Sequence, residues 1–115
     1  MSDARSIVFQ PFRLASVEVK SRIFLPAHSY GFSLDVAGLN RYTAYVRRRL
    51  DHGVGLVIIG EAEVPFEGSV RTRSSAGRPA GQASQALYEQ LGDEAKRTGG
   101  VIIEQLFHPG SQVWF

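Results

Sequence analysis

The chain has 115 residues, 43% of them hydrophobic, 21% charged and 10% aromatic, with a formal net charge of +2. That balance excludes a disordered or collagen-like chain and fits one globular unit. The absence of cysteine excludes disulfide stapling, thiolate catalysis and cysteine-bound zinc, and it agrees with a cytoplasmic address.

Residues 7–20 are expected to form a short hairpin or extended segment, interrupted by Pro11, with Val17 and Val19 alternating as in a strand. Arg22 to Pro26 is a compact apolar strand that Pro26 either ends or places at a sheet edge, since it has no N–H to donate. Residues 28–38, with Gly31, Ser33, Asp35 and Gly38, read as a loop. From Leu39 the period changes: Leu39, Tyr42, Val46 and Leu50 share one helical face, while Arg41, Arg48 and Asp51 lie elsewhere on the circumference. Gly53 is placed to close that helix in the left-handed conformation.

Gly55 to Ile59 is continuously apolar, as in a strand buried on both faces of a parallel sheet. Residues 63–82, rich in Gly, Pro and Arg, read as a long functional loop. Ser84 is the expected N-cap of a second helix, with Leu87, Leu91 and Ala95 inward and Gly99 as its stop; Gly92 weakens it by about 1 kcal/mol relative to Ala. Gly100 to Leu106 is a third buried strand, followed by a turn at His108-Pro109-Gly110. Strand–loop–helix–strand–loop–helix–strand order implies parallel strands joined by right-handed crossovers. The two long loops then follow carboxyl ends of strands, the side where α/β proteins bind ligands.

Several familiar chemistries find no support. Gly53-Val54-Gly55 precedes its strand, whereas a dinucleotide fingerprint follows one. His28, His52 and His108 lack the spacing of a helical metal pair, and no serine sits in a Gly-x-Ser-x-Gly elbow. Basic residues are scattered apart from Arg47-Arg48-Arg49 and Arg71, Arg73 and Arg78, without the aromatic-lined basic face of a nucleic-acid binder. No apolar run reaches the roughly 18 residues of a membrane helix. Met1-Ser2-Asp3-Ala4-Arg5 leads into too short an apolar stretch for a signal peptide. No nucleic-acid or membrane partner is expected.

Three segments occupy equivalent places at the carboxyl ends of successive strands. They are Pro26-Ala27-His28-Ser29, Gly60-Glu61-Ala62-Glu63 and Gln105-Leu106-Phe107-His108-Pro109-Gly110. Backbone groups and one amide there can line a planar heterocycle. A Gln amide both donates and accepts, which suits the edge of a pyrimidine-like ring. On the residues alone, the plainer readings come first: Gln105 as an amide bonding its own loop, His108 as a turn histidine before a base, and Glu61 and Glu63 as a solvated rim before an acid–base pair.

These residues carry a resemblance. Phe9-Gln10-Pro11-Phe12-Arg13, then Lys20-Ser21-Arg22-Ile23, then Gly53-Val54-Gly55-Leu56-Val57-Ile58-Ile59 resemble the opening of the Old Yellow Enzyme family of flavin reductases. Gln105-Leu106-Phe107-His108-Pro109-Gly110 is the most specific part. The Pro26-Ala27-His28 variant is similar to the branch that includes 2,4-dienoyl-CoA reductase and trimethylamine dehydrogenase. The motifs run from about Ile7 to Phe115 in the family's order.

The resemblance implies an α/β fold, the N-terminal portion (about three β/α units, residues 1–115) of a TIM (β/α)8 barrel with an N-terminal hairpin. It implies FMN as cofactor and NADH or NADPH as electron donor. Pro26, Ala27 and His28 would meet the flavin largely through backbone atoms. Glu61 would contact the ring, Gln105 would bond its pyrimidine edge, and His108 would support the third loop. Two positions depart from the family pattern. Ser21 replaces the usual Asn, which is expected to loosen the turn before the first strand, and Gly60-Glu61 brings a carboxylate near the ring's electron-rich edge, where it disfavours the anionic reduced form.

A complete barrel takes about 250 residues and eight strands. The family's substrate-polarising His and Asn or His pair, proton-donating Tyr and main phosphate loops lie beyond its third strand, so no catalytic residue is assigned here. The expected role is a fragment or split-barrel subunit of an FMN-dependent oxidoreductase, with a second chain or further sequence completing the barrel. The alternative is a non-catalytic remnant acting as an assembly or binding module.

Overall fold

The computed structural model describes residues 7–28, 30–32, 35–63 and 82–107. The hairpin forms as expected, from β1 (Phe12–Leu14) and β2 (Val17–Val19), antiparallel with Phe12 opposite Val19. Strand β3 (Phe24–Leu25) stops before Pro26. It pairs in parallel with β4 (Leu56–Glu63), which pairs in parallel with β5 (Val101–Phe107), giving the order β3-β4-β5. Helix α1 spans Val36–Asp51 and α2 spans Gln82–Thr98. Among the described residues no helix is long and apolar enough to cross a membrane.

The helix starts differ from expectation. Helix α1 begins three residues before Leu39, inside the segment read as loop. Its N-cap is Asp35, whose carboxylate accepts from the Gly38 N–H at 2.7 Å. An Asp side chain satisfies one of the N–H groups that a helix start leaves without an intrahelical partner, and that local bond outweighs the cost of Gly38 in the first turn. Helix α2 begins at Gln82, so Ser84 lies inside it and is not its N-cap. Gly53 (φ +96°) and Gly99 (φ +66°) follow the two helices as predicted.

Both helices cover one face of the three-stranded sheet. Tyr42, Val46 and Leu50 of α1, spaced by four, meet Leu87 and Leu91 of α2 over Val57 and Ile59 of β4. All are at most 5% exposed, and burial contributes about 1.5–3 kcal/mol for each such aliphatic side chain. The opposite face is a different matter. Strand β5 reads as buried in the sequence, yet on this face Ile103 is 40% exposed and Phe24 of β3 56%, while Leu106, on the helix side with Ile102, is 70% exposed. Strand β5 is an edge strand among the described residues, and no described element covers the face away from the helices.

The amino-terminal ends of the strands are tied together by two adjacent residues after the hairpin. The Lys20 ammonium donates to the carbonyls of Leu50 (2.7 Å) and Thr98 (2.9 Å), in the last turns of α1 and α2. The Leu50 carbonyl also accepts, at 3.5 Å, from the N–H of Gly53, and both carbonyls lie at the negative ends of the helix dipoles. Desolvation pushes the Lys20 pKa below its ordinary value, opposed by the charge of Asp51 and reinforced by that of Arg97.

Beside it, Ser21 is 3% exposed. Its hydroxyl donates to the Gly53 carbonyl at 2.6 Å and accepts from the Ile23 N–H at 3.4 Å. The small hydroxyl thus bonds two backbone groups where chains crowd. A Cβ at Gly55 would lie 2.5 Å from the Ser21 carbonyl oxygen.

Two outcomes follow for stability. Lys20→Met leaves two helix-end carbonyls without their charged donor and is expected to cost about 1–3 kcal/mol in urea denaturation. Asp51 accepts from Arg97 at 2.6 Å. That hydrogen bond above all holds its pKa below the ordinary 3.8. A depressed carboxylate contributes stability above its unfolded pKa and loses it as pH falls through the folded value. As pH falls below the ordinary carboxylate value of 3.8, Asp51→Asn should lose stability less steeply than the wild type, as read by circular dichroism.

Candidate functional site

At the carboxyl ends of the three strands, the sheet departs from regular pairing. Ile59 of β4 faces Glu104 of β5, but Ala62 faces Leu106, so β4 carries one more residue than β5 across this step. The extra residue falls within Gly60-Glu61, opposite Gln105. Such bulges bend a strand and re-aim the side chains beside them. Strand β4 also continues four residues past the apolar run, so Glu63, which the sequence reads as the start of the long loop, belongs to the strand.

The bulge brings three predicted positions together. A Cβ at Gly60 would lie 2.9 Å from the Ala27 Cβ and 3.2 Å from the Gln105 Oε1. Gly60 is therefore required as glycine by close approach from both neighbouring strands, not by its backbone angles. Gln105 is exposed, while Gly60 is buried. Alternation along β5 puts Gln105 on the same face as Ile103, away from the helices and from Ile102, which packs on the core.

Pro26 and Ala27 leave the sheet directly after β3, and His28 is the next residue. The His28 imidazole turns back, with Nδ1 2.9 Å from the Pro26 carbonyl oxygen and Nε2 3.1 Å from the Tyr45 hydroxyl. Its ring stacks at a tilt on Tyr30, centroids 4.2 Å apart. Tyr45 lies beneath the Arg49 guanidinium, 3.2 Å from the ring centroid, and Arg49 Nη1 donates to the Tyr45 carbonyl at 3.0 Å.

The structure thus brings together Ala27 and Gln105, with Pro26 and His28 adjoining. Glu61 has its backbone in the bulge, but its side chain lies outside the described residues, as do those of His108 and Phe107. Sequence reasoning missed Gly60 as the point of contact, although a lone glycine within an apolar strand signals close backbone approach. It also missed Tyr45, which has no sequence signal because only packing of α1 brings it to His28.

This arrangement suits a flat ring carrying polar edges. The Ala27 methyl and the Gln105 amide oxygen close over the buried Gly60, and the exposed Gln105 side chain carries one donor and one acceptor group. A planar heterocycle with adjacent N–H and C=O groups matches it.

Comparison with solved structures finds the same fold within longer chains. The 6-hydroxypseudooxynicotine amine oxidase of Pseudomonas geniculata N1 is similar over 98% of this chain, with 22% identity and a TM-score of 0.77. The old yellow enzyme of Trypanosoma cruzi is similar over 91%, with 20% identity and a TM-score of 0.70. Morphinone reductase, solved with tetrahydroNAD, is similar over 92%, with 19% identity and a TM-score of 0.65. The chain spans 17%, 28% and 28% of those three chains. No family model and no curated protein matches it. The class defined here is an α/β unit with the fold of a segment of these proteins. Two of the three are an old yellow enzyme and a reductase, the kind of protein that the motifs resemble.

Substitution of two glycines separates crowding from propensity. Gly60→Ala forces Ala27 or Gln105 to shift and should cost about 1–3 kcal/mol. Gly92, inside α2 with open space around it, should instead stabilise by about 1 kcal/mol when changed to Ala. Thermal melts of both variants distinguish these effects.

Proposed function

We propose that this chain contributes the Pro26–His28, Gly60–Glu61 and Gln105 wall of a flavin site in an FMN-dependent NAD(P)H oxidoreductase of the ene-reductase or dienoyl-CoA reductase kind. The single observation that carries the reading is the meeting of Ala27, Gly60 and Gln105 at the carboxyl ends of three parallel strands. The order of the motifs and the fold likeness to an old yellow enzyme support it. The complete protein is a (β/α) barrel in this reading, with the remaining strands contributed by further sequence or a second chain. The exposed Phe24 and Ile103, on the face away from the helices, are then part of the apolar surface that a completed barrel would cover.

FMN, when bound, supplies the hydride chemistry. The residues of this chain bind and orient it. The Gln105 amide accepts from a ring N–H and donates to a ring carbonyl, which fixes the ring's rotation in its own plane. The Ala27 methyl and the Gly60 backbone give an apolar, water-excluding floor. Main-chain atoms at Pro26–His28 meet the ring without adding a charge. None of these groups polarises a substrate carbonyl or supplies a proton, so those tasks belong to residues elsewhere in the barrel.

The test is an FMN fluorescence titration of the completed barrel. Gln105→Leu should weaken binding roughly 5- to 150-fold, through the loss of about 1–3 kcal/mol of paired hydrogen bonding. His28→Ala should weaken it less, since the expected contact is through the main chain. Equal affinity of wild type and Gln105→Leu would remove the flavin from this wall. The 115-residue chain by itself should show no NAD(P)H-dependent enone reduction above the free-FMN background.

A further inference from the structure

We infer that His28 and Tyr45 form a brace that positions the Pro26–Ala27 main chain, making Tyr45 on helix α1 a positioning residue for the flavin wall. The inference rests on the flavin reading given above for that wall. His28 is exposed, yet both its ring nitrogens face groups of the protein, at 2.9 Å and 3.1 Å. The Pro26 partner is a carbonyl oxygen, which only accepts, so Nδ1 carries the proton. In the neutral ring Nε2 is then an acceptor, and the Tyr45 hydroxyl donates to it. This is the reverse of the tautomer that a neutral imidazole favours in water.

The position of the brace gives it a task. Strand β3 ends at Leu25, and Pro26 has no N–H with which to continue a ladder. Beyond that point the chain must hold its course by other contacts. Ala27 is limited on one side by Gly60. On the other side, the Pro26 carbonyl is held through His28 to Tyr45, and Tyr45 belongs to a helix anchored in the core by Tyr42 and Val46. Tyr45 itself has little freedom: Arg49 lies over one face of its ring and bonds its carbonyl, and Tyr30 meets it at 4.9 Å between centroids, nearly perpendicular. The path from the helix to the peptide groups at Pro26–Ala27 is thus continuous, and each link is a hydrogen bond or a ring contact. A shift of the Pro26 carbonyl would tilt the peptide plane that faces the ring.

Two measurements test this. In the chain itself, nitrogen-15 shifts of the His28 ring near pH 8 should report the Nδ1–H tautomer, and Tyr45→Phe should move the population toward Nε2–H. A wild-type ring in the Nε2–H form overturns the brace, whatever the variants do. In the FMN-loaded, completed barrel, Tyr45→Phe should weaken FMN about 3- to 10-fold, the size of one lost hydrogen bond, and alter the visible circular dichroism of the bound flavin. In a His28→Ala background the same change should have no effect, because the two residues act through one bond.

Additive losses would assign Tyr45 a merely structural role and overturn the inference. An unchanged Tyr45→Phe beside a weakened Gln105→Leu would overturn the brace and leave the flavin reading intact. If Gln105→Leu is unchanged as well, the flavin reading falls and the inference falls with it.

Discussion

One ammonium group sets the geometry on which the rest of this chain depends. Lys20 reaches the last-turn carbonyls of both helices, so the ends of α1 and α2 converge on one point beside the start of the sheet. Helix ends carry carbonyls with no intrahelical partner and a partial negative charge. A cation held between two of them satisfies both and fixes the distance between the helices. Ser21 follows immediately and is bonded to Gly53, so the same short segment also fixes where β4 begins. The hairpin before it is in effect an arm that presents Lys20 and Ser21 to the amino-terminal ends of the strands.

With that end fixed, the strands diverge from regular pairing only at the other end. The bulge at Gly60-Glu61 lies where β3 has ended and β5 continues, and it is there that Ala27, Gly60 and Gln105 meet. The division of labour is physical. Dense packing and satisfied helix ends stabilise one end of the sheet, while the other end carries an exposed amide at Gln105 and a histidine turned back onto Tyr45. The same division separates stability from ligand binding in α/β barrels generally.

Much of the fold was legible because its periods are clear. The four-residue spacing of Tyr42, Val46 and Leu50 and the continuous run Leu56–Ile59 report a helix face and a buried strand directly. Gly53 and Gly99 mark helix ends by their need for positive φ. The errors have local causes. Asp35 caps α1 earlier than the apolar period begins, since the period sees only the buried stripe and the cap is made by a polar residue. Ser84 was taken for a cap because a serine before an apolar run has the right chemistry, yet the helix already runs through it. Strand β5 is as apolar as β4 but lies at an edge, and composition does not distinguish a covered strand from an uncovered one.

For the site, the sequence by itself determined which residues stand at strand ends, and the motif order carried the resemblance to flavin reductases. Pro26, Ala27, His28 and Gln105 follow from counting along strands whose side chains alternate with a fixed period. What only the tertiary structure decided is which of them touch. Gly60 matters because Ala27, just past β3, and Gln105 of β5 approach it from two sides, and a contact between residues 27, 60 and 105 has no local signature. Tyr45 meets His28 across a loop and a helix, through a rotation of α1 set by Tyr42, Val46 and Leu50 in the core. Local periodicity reports the face that a residue occupies. The partner across that face is fixed by the packing of the whole, because it depends on where every other element has already come to rest.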